Sequence, residues 1–244
     1  MRRASEDETR MLELNRSRQT VYLFLSRAFS REVDPAFFDA ASELVDSFEE
    51  LFADFERASL IEGRRLLESF LQGAKGKEKE AILQDLAEDY AFLFLGVGSK
   101  NVSLCESAYR SAGGLLFQGS YFDIVQRYTE VGLAKRPDFP EPEDHLSVEL
   151  SYMANLCRLV IDSAENRRRE EITRYCIYQK TFLQDHLMTW VPDFFKSLLE
   201  ADPSTFYSAI AHLLKGFISL DAEIIDSWLT EVAGGGNPSL GRKR

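Results

Sequence analysis

A helical hydrophobic period runs through almost the whole chain, and it narrows the choice of fold more than any other feature. Apolar residues recur at spacings of three, four and seven, which line one face of an α-helix. No useful stretch alternates apolar with polar residues, and neither a hairpin dipeptide nor a fixed-length repeat occurs. The pattern predicts an all-α fold, a compact bundle of about nine to ten helices with a proline-rich hinge between its N- and C-terminal halves.

The helix boundaries follow from caps, prolines and glycines. A first helix carries an apolar stripe that includes Leu14, Val21 and Leu25, and a second is capped by Asp34 with Pro35 in its first turn. Further helices are predicted at 56–72, 77–95, 112–131, 144–161, 165–187, 192–199 and 203–217, with a shorter piece to Trp228.

Three prolines, Pro137, Pro140 and Pro142, stiffen the connector before the second half of the chain. Proline fixes φ and favours extended backbone in the residue before it. Pro142 fits the first turn of the next helix, where Glu143 and Asp144 would meet the positive end of the helix dipole. One interpretation is therefore a rigid linker that starts a helix well. The alternative is that Asp144 and His145 are held there for binding.

We expect one helical domain at 11–233, with its hinge near 132–144. The tail at 234–244 has no apolar period and is predicted to be disordered. The pattern leaves open whether the helices form one bundle or two halves that meet at the hinge.

Composition limits the classes of partner and compartment. Of 244 residues, 45% are apolar, which is ample for a core, and 40 acids against 29 bases give a net charge of −11. This charge argues against nucleic acid or an anionic membrane surface as the main partner, and it suits a basic one. No apolar run is long enough to span a bilayer, and we identify no signal peptide. The expected location is the cytoplasm.

Catalytic and metal signatures are absent from the sequence, so we assign no catalytic residue, no metal ligand and no cofactor. Neither a P-loop nor a nucleophile elbow occurs, and no histidine has a glutamate three residues before it. The three cysteines, Cys105, Cys157 and Cys176, have no metal-site spacing and fit a reducing compartment. His186 and His212 have structural interpretations, as a cation near a helix end and as a core or boundary residue.

Two stretches remain as candidate sites. At the hinge, His145 lies beside Asp144 and one helical turn before Glu149, so a carboxylate could orient its ring. The second stretch, 96–109, is a long polar loop between helices that opens with glycine. Loops of this length often carry binding residues, although an ordinary surface loop is an equal alternative.

Several blocks, in the right order, resemble the cytoplasmic redox-enzyme maturation chaperones of the TorD/DmsD (NarJ-like) family. The similarity covers nearly the whole chain and is most specific where the hinge and the Glu-Ser-x-Tyr loop occur together. The blocks are Tyr90-Ala91-Phe92-Leu93-Phe94-Leu95-Gly96, Glu106-Ser107-Ala108-Tyr109, Glu141-Pro142-Glu143-Asp144-His145, and Phe182 to Leu187 with Trp190 and Phe194. Val97 stands where many relatives have proline, a difference that bears on the client.

The resemblance implies a non-enzymatic, all-helical chaperone. Such a protein binds the twin-arginine signal peptide and the apo-form of a molybdenum-cofactor oxidoreductase, and holds back export until the cofactor is inserted. It also implies that the groove lies where the hinge meets the Glu-Ser-x-Tyr loop. The signal-peptide-binding residues on this reading are Leu93, Phe94, Glu106, Ser107, Tyr109, Pro142, Glu143, Asp144, His145 and Glu149.

Physical chemistry supports that assignment, because a twin-arginine leader is a basic segment followed by an apolar one. Glu106, Glu143 and Asp144 could accept charge-assisted hydrogen bonds from arginine. Leu93, Phe94 and Tyr109 could line an apolar groove.

Several alternatives stay open. The client could be a non-exported nitrate-reductase-type subunit, or the chain could be a small helical nucleotide-binding protein or enzyme that uses His145 and Asp144. Contact with GTP or with the molybdenum cofactor, and the choice between a monomer and a domain-swapped homodimer, are also undecided.

Overall fold

The computed structural model describes residues 2–52, 57–98, 100–111, 113–116 and 119–233. Within these ranges the chain forms ten α-helices and one π-helical turn, and its β-structure is limited to a single isolated bridge. The predicted all-α fold is confirmed. The helices are α1 Arg2–Ser30, α2 Pro35–Phe52, α3 Ala58–Ala74, α4 Lys79–Phe94, α5 Glu106–Arg110, α6 Gly119–Glu130, α7 Leu146–Glu165, α8 Arg169–Phe182, α9 Met188–Glu200 and α10 Thr205–Ala233, with the π-helical turn Leu183–Leu187 between α8 and α9.

Two predicted helix ends are confirmed by their hydrogen bonds. Asp34 Oδ1 accepts the Phe37 backbone N–H at 2.8 Å and so caps α2. That bond, followed by one from Arg27, lowers the pKa of Asp34. At the end of α4, Gly96 has a φ of +75°, and the Gly98 N–H donates to the Phe92 carbonyl at 3.2 Å.

The helix predicted at 112–131 begins later, at Gly119 in α6, and the short helix α5 was not predicted. Gly113 and Gly114 have φ of +80° and +69°, and a helix cannot pass through two left-handed residues. Residue 112 itself lies outside the described ranges, as do residue 56 and the tail at 234–244.

The helix after the hinge also begins later than predicted. It begins at Leu146, with His145 as its N-cap, so the placement of Pro142 in its first turn is wrong. His145 is instead extended, with φ of −76° and ψ of 136°, and it pairs with Cys105, so the helix cannot begin before Leu146.

The second half of the chain has fewer breaks than predicted. Helix α8 begins at Arg169, and it continues through the π-helical turn into α9. Pro192 therefore lies inside α9 and does not begin a helix. Its missing N–H removes one bond, while burial of Trp190, Val191 and Phe194 keeps this segment against the core.

Helix α10 continues without a break past Phe217, where a helix end was predicted. Gly216 allows close packing of α3 against α10. A Cβ on Gly216 would lie 2.7 Å from Leu60 Cγ, and one on Gly63 would lie 2.8 Å from Leu213 Cγ. The order of these pairs makes the two helices antiparallel. No side chain larger than hydrogen fits at either position.

The two halves of the chain form one bundle, which decides between the alternatives left open by the sequence. The most extensive helix contacts join α1 to α7 and α3 to α10, so N-terminal helices pack on C-terminal ones. One buried apolar cluster accordingly extends from Val21 to Ile225. None of the helices in the described ranges is both long and apolar enough to cross a membrane.

A buried ion pair joins three helices inside this core. Arg18 of α1 forms a bidentate pair with Asp221 of α10, whose Oδ2 lies 3.0 Å from Arg18 Nη2 and also accepts the Tyr22 hydroxyl at 2.6 Å. The remaining guanidinium donors reach Asn15 Oδ1 at 2.8 Å and Gln179 Oε1 of α8 at 3.0 Å. Because each charge has hydrogen-bonded partners, the burial of both is tolerated.

Two Gly→Ala substitutions, one in α10 and one in α3, should have opposite effects on the free energy of unfolding. Gly216→Ala should lower the free energy of unfolding by about 1–3 kcal/mol, the usual cost of overpacking. Gly73→Ala should raise it by about 0.4–1 kcal/mol, because no atom lies within 4 Å of the added Cβ and alanine favours helix. Urea denaturation measures both, and a Gly216→Ala protein as stable as the wild type would refute the packing argument.

Removal of one partner of the buried ion pair should cause a large loss of folding stability. Asp221→Ala should cost about 3–5 kcal/mol, because Arg18 would remain charged and unpaired in the core. Glu165→Ala is the matched control, since it removes an exposed pair with Arg16 and should cost less than about 1 kcal/mol. Equal thermal shifts for the two variants would contradict the prediction.

Candidate functional site

The hinge and the Glu-Ser-x-Tyr loop lie side by side in the structure. The Glu106 N–H donates to the Asp144 carbonyl at 2.9 Å, and the Leu146 N–H donates to the Leu104 carbonyl at 2.7 Å. Between these bonds, Cys105 and His145 form an antiparallel bridge. Two stretches about 40 positions apart in sequence therefore form one continuous wall.

Asp144 faces the interior of this wall. It is fully buried, and its Oδ2 accepts the Ser107 backbone N–H at 3.0 Å. Asp144 Oδ1 and the buried Ser107 hydroxyl have no hydrogen-bond partner among the described residues. In this conformation Asp144 holds the start of α5 and does not face solvent.

His145 is a buried neutral cap. Its Nδ1 accepts the Ser147 backbone N–H at 3.2 Å and lies 2.8 Å from the Ser147 hydroxyl, so its partner is a serine and not the carboxylate suggested by the sequence. Burial, followed by the charge of Lys135, lowers the pKa of His145 to about 4. At neutral pH the ring is uncharged.

The other predicted hinge residues are partly exposed. Pro142 and Glu143 lie at the edge of the wall, and Glu143 Oε2 is 3.9 Å from Lys135 Nζ. The hydrogen bond between Glu143 and the Tyr121 hydroxyl raises the pKa of Tyr121. Of the three acids selected from the sequence, only Glu143 is open to solvent here.

Glu149 and Glu106 form a buried pair of acids. Both side chains are fully buried, and Glu149 Oε2 accepts the Trp190 indole N–H at 3.1 Å. Burial, followed by the negative charge of Glu106, raises the pKa of Glu149 well above its ordinary value. Burial and the neighbouring acid therefore both favour the protonated form of Glu149.

His186 is the central residue that sequence analysis missed. It is buried within the π-helical turn and not at a helix end, so its assignment as a dipole-offsetting cation is wrong. Its Nδ1 lies 2.8 Å from Glu106 Oε2, and its Nε2 lies 2.7 Å from Asp123 Oδ2. The Phe-x-x-x-His block marked this residue, but sequence spacing could not connect it to α5 and α6.

Asp123 continues this hydrogen-bonded series to the surface. Partial burial would raise its pKa, but the hydrogen bond and charge of Arg127, together with His186, lower it overall. A cavity of about 650 Å³ opens outside His186. Its wall includes Arg110, Asp123, Arg127, Asp185, His186 and Thr189.

The predicted apolar residues lie in or against the core and do not line an open groove. Leu93 is fully buried, and Phe94 packs on Phe29 with ring centroids 6.1 Å apart. Tyr109 packs on Trp190 at 5.4 Å. Some of the exposed apolar side chains lie at and after the end of α4 and around the start of α6. They are Phe92, Leu95, Val97, Leu115, Leu116, Phe122 and Val125.

Within the described ranges, no group of three or more His, Cys, Asp or Glu side chains is arranged to hold a metal ion. The three cysteines are free and buried, and burial raises the pKa of each to about 12. The chemistry of this region is therefore that of buried hydrogen bonds and surface ion pairs.

The raised pKa of Glu149 predicts a pH-dependent stability. Its pKa exceeds the ordinary value of 4.5, so as pH rises above 4.5 the unfolded state releases a proton that the folded state retains. Glu149 therefore makes its full contribution to folding stability below pH 4.5, and that contribution is lost as pH rises through the folded pKa. Glu149→Gln, which keeps an acceptor for Trp190, should flatten the decline in unfolding free energy as pH rises above the ordinary value of 4.5.

Glu165→Gln is the control for this prediction, because it alters an exposed carboxylate on the same helix. It should leave the pH profile unchanged. Parallel profiles for Glu149→Gln and the wild type, measured by chemical denaturation, would show that Glu149 carries no folding-linked proton.

Comparison with known proteins gives a consistent assignment. The family model described as "Nitrate reductase delta subunit" matches residues 57–196, more than half of the chain. A chaperone protein TorD from Shewanella pealeana is 32% identical over 222 residues, covering 87% of this chain and 91% of the relative. TorD from Shewanella loihica is 29% identical and covers 92% and 99%, and TorD from Aliivibrio fischeri is 27% identical and covers 86% and 95%.

These relatives are chaperones and not enzymes, as the resemblance implied. The similarity extends over nearly their full length, and it includes both the hinge and the loop that the structure brings together. The chain belongs to the nitrate reductase delta subunit family of redox-enzyme maturation chaperones.

Proposed function

We propose that this chaperone binds the twin-arginine signal peptide of a molybdenum-cofactor oxidoreductase in the cytoplasm. Binding would hold the apo-form of the enzyme and delay its export until the cofactor is inserted. The chaperone itself contributes binding surfaces and no catalytic group. The proposal extends the family assignment to a particular ligand.

One observation carries the proposal: the hinge and the Glu-Ser-x-Tyr loop are joined into a single wall beside a polar cavity. Asp123 and Asp185 lie at that cavity, and Glu143 lies at the partly exposed edge of the hinge. These carboxylates suit the basic segment of a leader, since charge-assisted bonds to arginine are among the stronger hydrogen bonds.

The apolar part of a leader needs a second surface. Phe122 and Val125 are exposed on α6, three positions apart, on the helix that also carries Asp123. Leu115 is exposed in the segment before that helix. A basic segment followed by an apolar helix could therefore contact carboxylates and apolar side chains of one region.

The π-helical turn adds a further reason to place binding here. It carries Asp185 and His186, which point in different directions, one exposed and one buried. Turns of this kind are rare and occur frequently at functional sites.

Charge removal at the hinge tests the site. Glu143→Gln removes the charge of the one hinge acid that is partly exposed and preserves the shape of its side chain. We expect about ten-fold weaker binding of a synthetic twin-arginine leader peptide, since a hydrogen bond to a charged group contributes about 1.5–3 kcal/mol. Isothermal calorimetry measures the change.

The matched control is Asp138→Asn, which removes one charge from the same connector at an exposed pair with Arg136. Its affinity should equal that of the wild type. Unchanged binding by Glu143→Gln would remove the exposed hinge acid from the site. Failure of the wild type to bind any twin-arginine leader would overturn the proposed function.

A second candidate follows from the name of the matching family, which refers to nitrate reductase. On this reading the client is a cytoplasmic nitrate-reductase-type subunit that has no export leader. Co-purification of the tagged chaperone with its client, followed by sequencing of the client's N-terminus, separates the two candidates.

A further inference from the structure

The polar cavity has a rigid inner wall and loosely held outer groups. Inside, Glu106 and His186 are essentially unexposed, and His186 connects Glu106 to Asp123. Outside, the Arg127 guanidinium joins two carboxylates from different elements. Its Nε lies 2.9 Å from Asp123 Oδ2, and its Nη2 lies 2.7 Å from Asp185 Oδ2.

A second in-chain arginine lies at the same cavity. Arg110 Nη1 donates to the Asp185 backbone carbonyl at 2.8 Å and pairs with Glu106 Oε1. Two guanidinium groups from α5 and α6 are therefore already bound by the acids and the carbonyl that surround the cavity.

The two ion pairs of Arg127 are exchangeable because their carboxylates are exposed. The side chains of Asp123 and Asp185 are 46% and 54% exposed, whereas that of Arg127 is 21% exposed and its Nη1 also donates to Thr181 Oγ1 at 3.3 Å. Arg110 differs, because its carboxylate partner Glu106 is fully buried. Ion pairs of partly exposed groups are screened by water and contribute little to stability. Another guanidinium group could therefore replace Arg127, while the buried contacts of His186 keep Asp123 in place.

We propose that Arg127 is an internal competitor, which holds the carboxylates of Asp123 and Asp185 until an arginine of a leader peptide displaces it. This inference rests on the proposed function, because the ligand is the same leader. It adds the acceptor groups, Asp123 and Asp185, and the in-chain residue that covers them.

The geometry also accounts for selection of arginine over lysine. One planar guanidinium reaches both Asp123 and Asp185 with two different nitrogens, as Arg127 does here. A lysine ammonium is a point charge and cannot reproduce this fork-shaped arrangement. A leader with two lysines should therefore bind more weakly than one with two arginines.

The competing possibility is that the cavity receives an anion through Arg110 and Arg127. That possibility makes the opposite prediction, because removal of either arginine would then weaken binding. Whether removal of Arg127 raises or lowers the affinity therefore distinguishes a cavity that binds arginine from one that binds an anion.

The experiment uses the full chain and three synthetic peptides, each with an apolar segment of about ten residues. The peptides carry Arg-Arg, Lys-Lys or Gln-Gln before that segment. Calorimetry should show that Arg127→Gln binds the Arg-Arg peptide about three- to five-fold more tightly than the wild type, since one weak internal competitor is lost. Affinity for the Gln-Gln peptide should not change.

Arg158→Gln controls for the change in net charge. It removes an arginine from an exposed pair with Asp162 on α7 and should leave all three affinities as in the wild type. Arg127→Lys, which keeps the charge but cannot bridge both carboxylates, should act in the same direction as Arg127→Gln, and it carries the test if Arg127→Gln does not fold. Asp185→Asn should weaken binding of the Arg-Arg peptide.

Equal or weaker binding of the Arg-Arg peptide by a folded Arg127→Gln protein would overturn the inference. The inference would also be overturned if Arg127→Gln bound the Gln-Gln peptide more tightly as well, or if Arg158→Gln showed the same gain in affinity. In both cases binding by the wild type would leave the proposed function standing. If the wild type does not bind the Arg-Arg peptide at all, the proposed function and this inference both fail.

Discussion

The buried pair of Arg18 and Asp221 is the interaction on which the helix arrangement most depends. It joins α1 to α10, and the same guanidinium reaches Gln179 on α8. A slip of any of these helices would leave a charge without a partner in an apolar core, which is far more costly than the loss of an apolar contact. Since α1 packs along α7, this pair also determines where the hinge lies.

A second series of interacting polar side chains lies at the candidate site. It runs from Trp190 through Glu149, Glu106 and His186 to Asp123, and it connects α9, α7, α5, the π-helical turn and α6. Each element contributes only one of its members. Because the inner members are buried and bonded, the outermost carboxylate is presented in a definite position at the cavity.

This arrangement changes the interpretation of the hinge residues. Asp144 and His145 were selected as groups that contact a ligand, whereas in this conformation both are buried and bind the chain itself. They determine how the Glu-Ser-x-Tyr loop lies against α7. Of the exposed acids of the region, Asp185 lies in the Phe182–Leu187 block but was not selected as a site residue, and Asp123 lies in none of the blocks.

The sequence by itself determined the helical fold, because a hydrophobic period requires only local spacing. It also located the two stretches that meet at the candidate site, and the Asp34 cap and the Gly96 helix end were predicted from local chemistry. Tertiary structure decided the rest. A helix end was predicted at Phe217, but the chain stays helical there and Gly216 packs against Leu60 of α3. A helix start was predicted at Pro192, but burial of its neighbours keeps this residue inside α9. Likewise, His186 acquired its partners from α5 and α6, since a contact between residues 60 or 80 positions apart depends on how helices pack and not on their spacing in the chain.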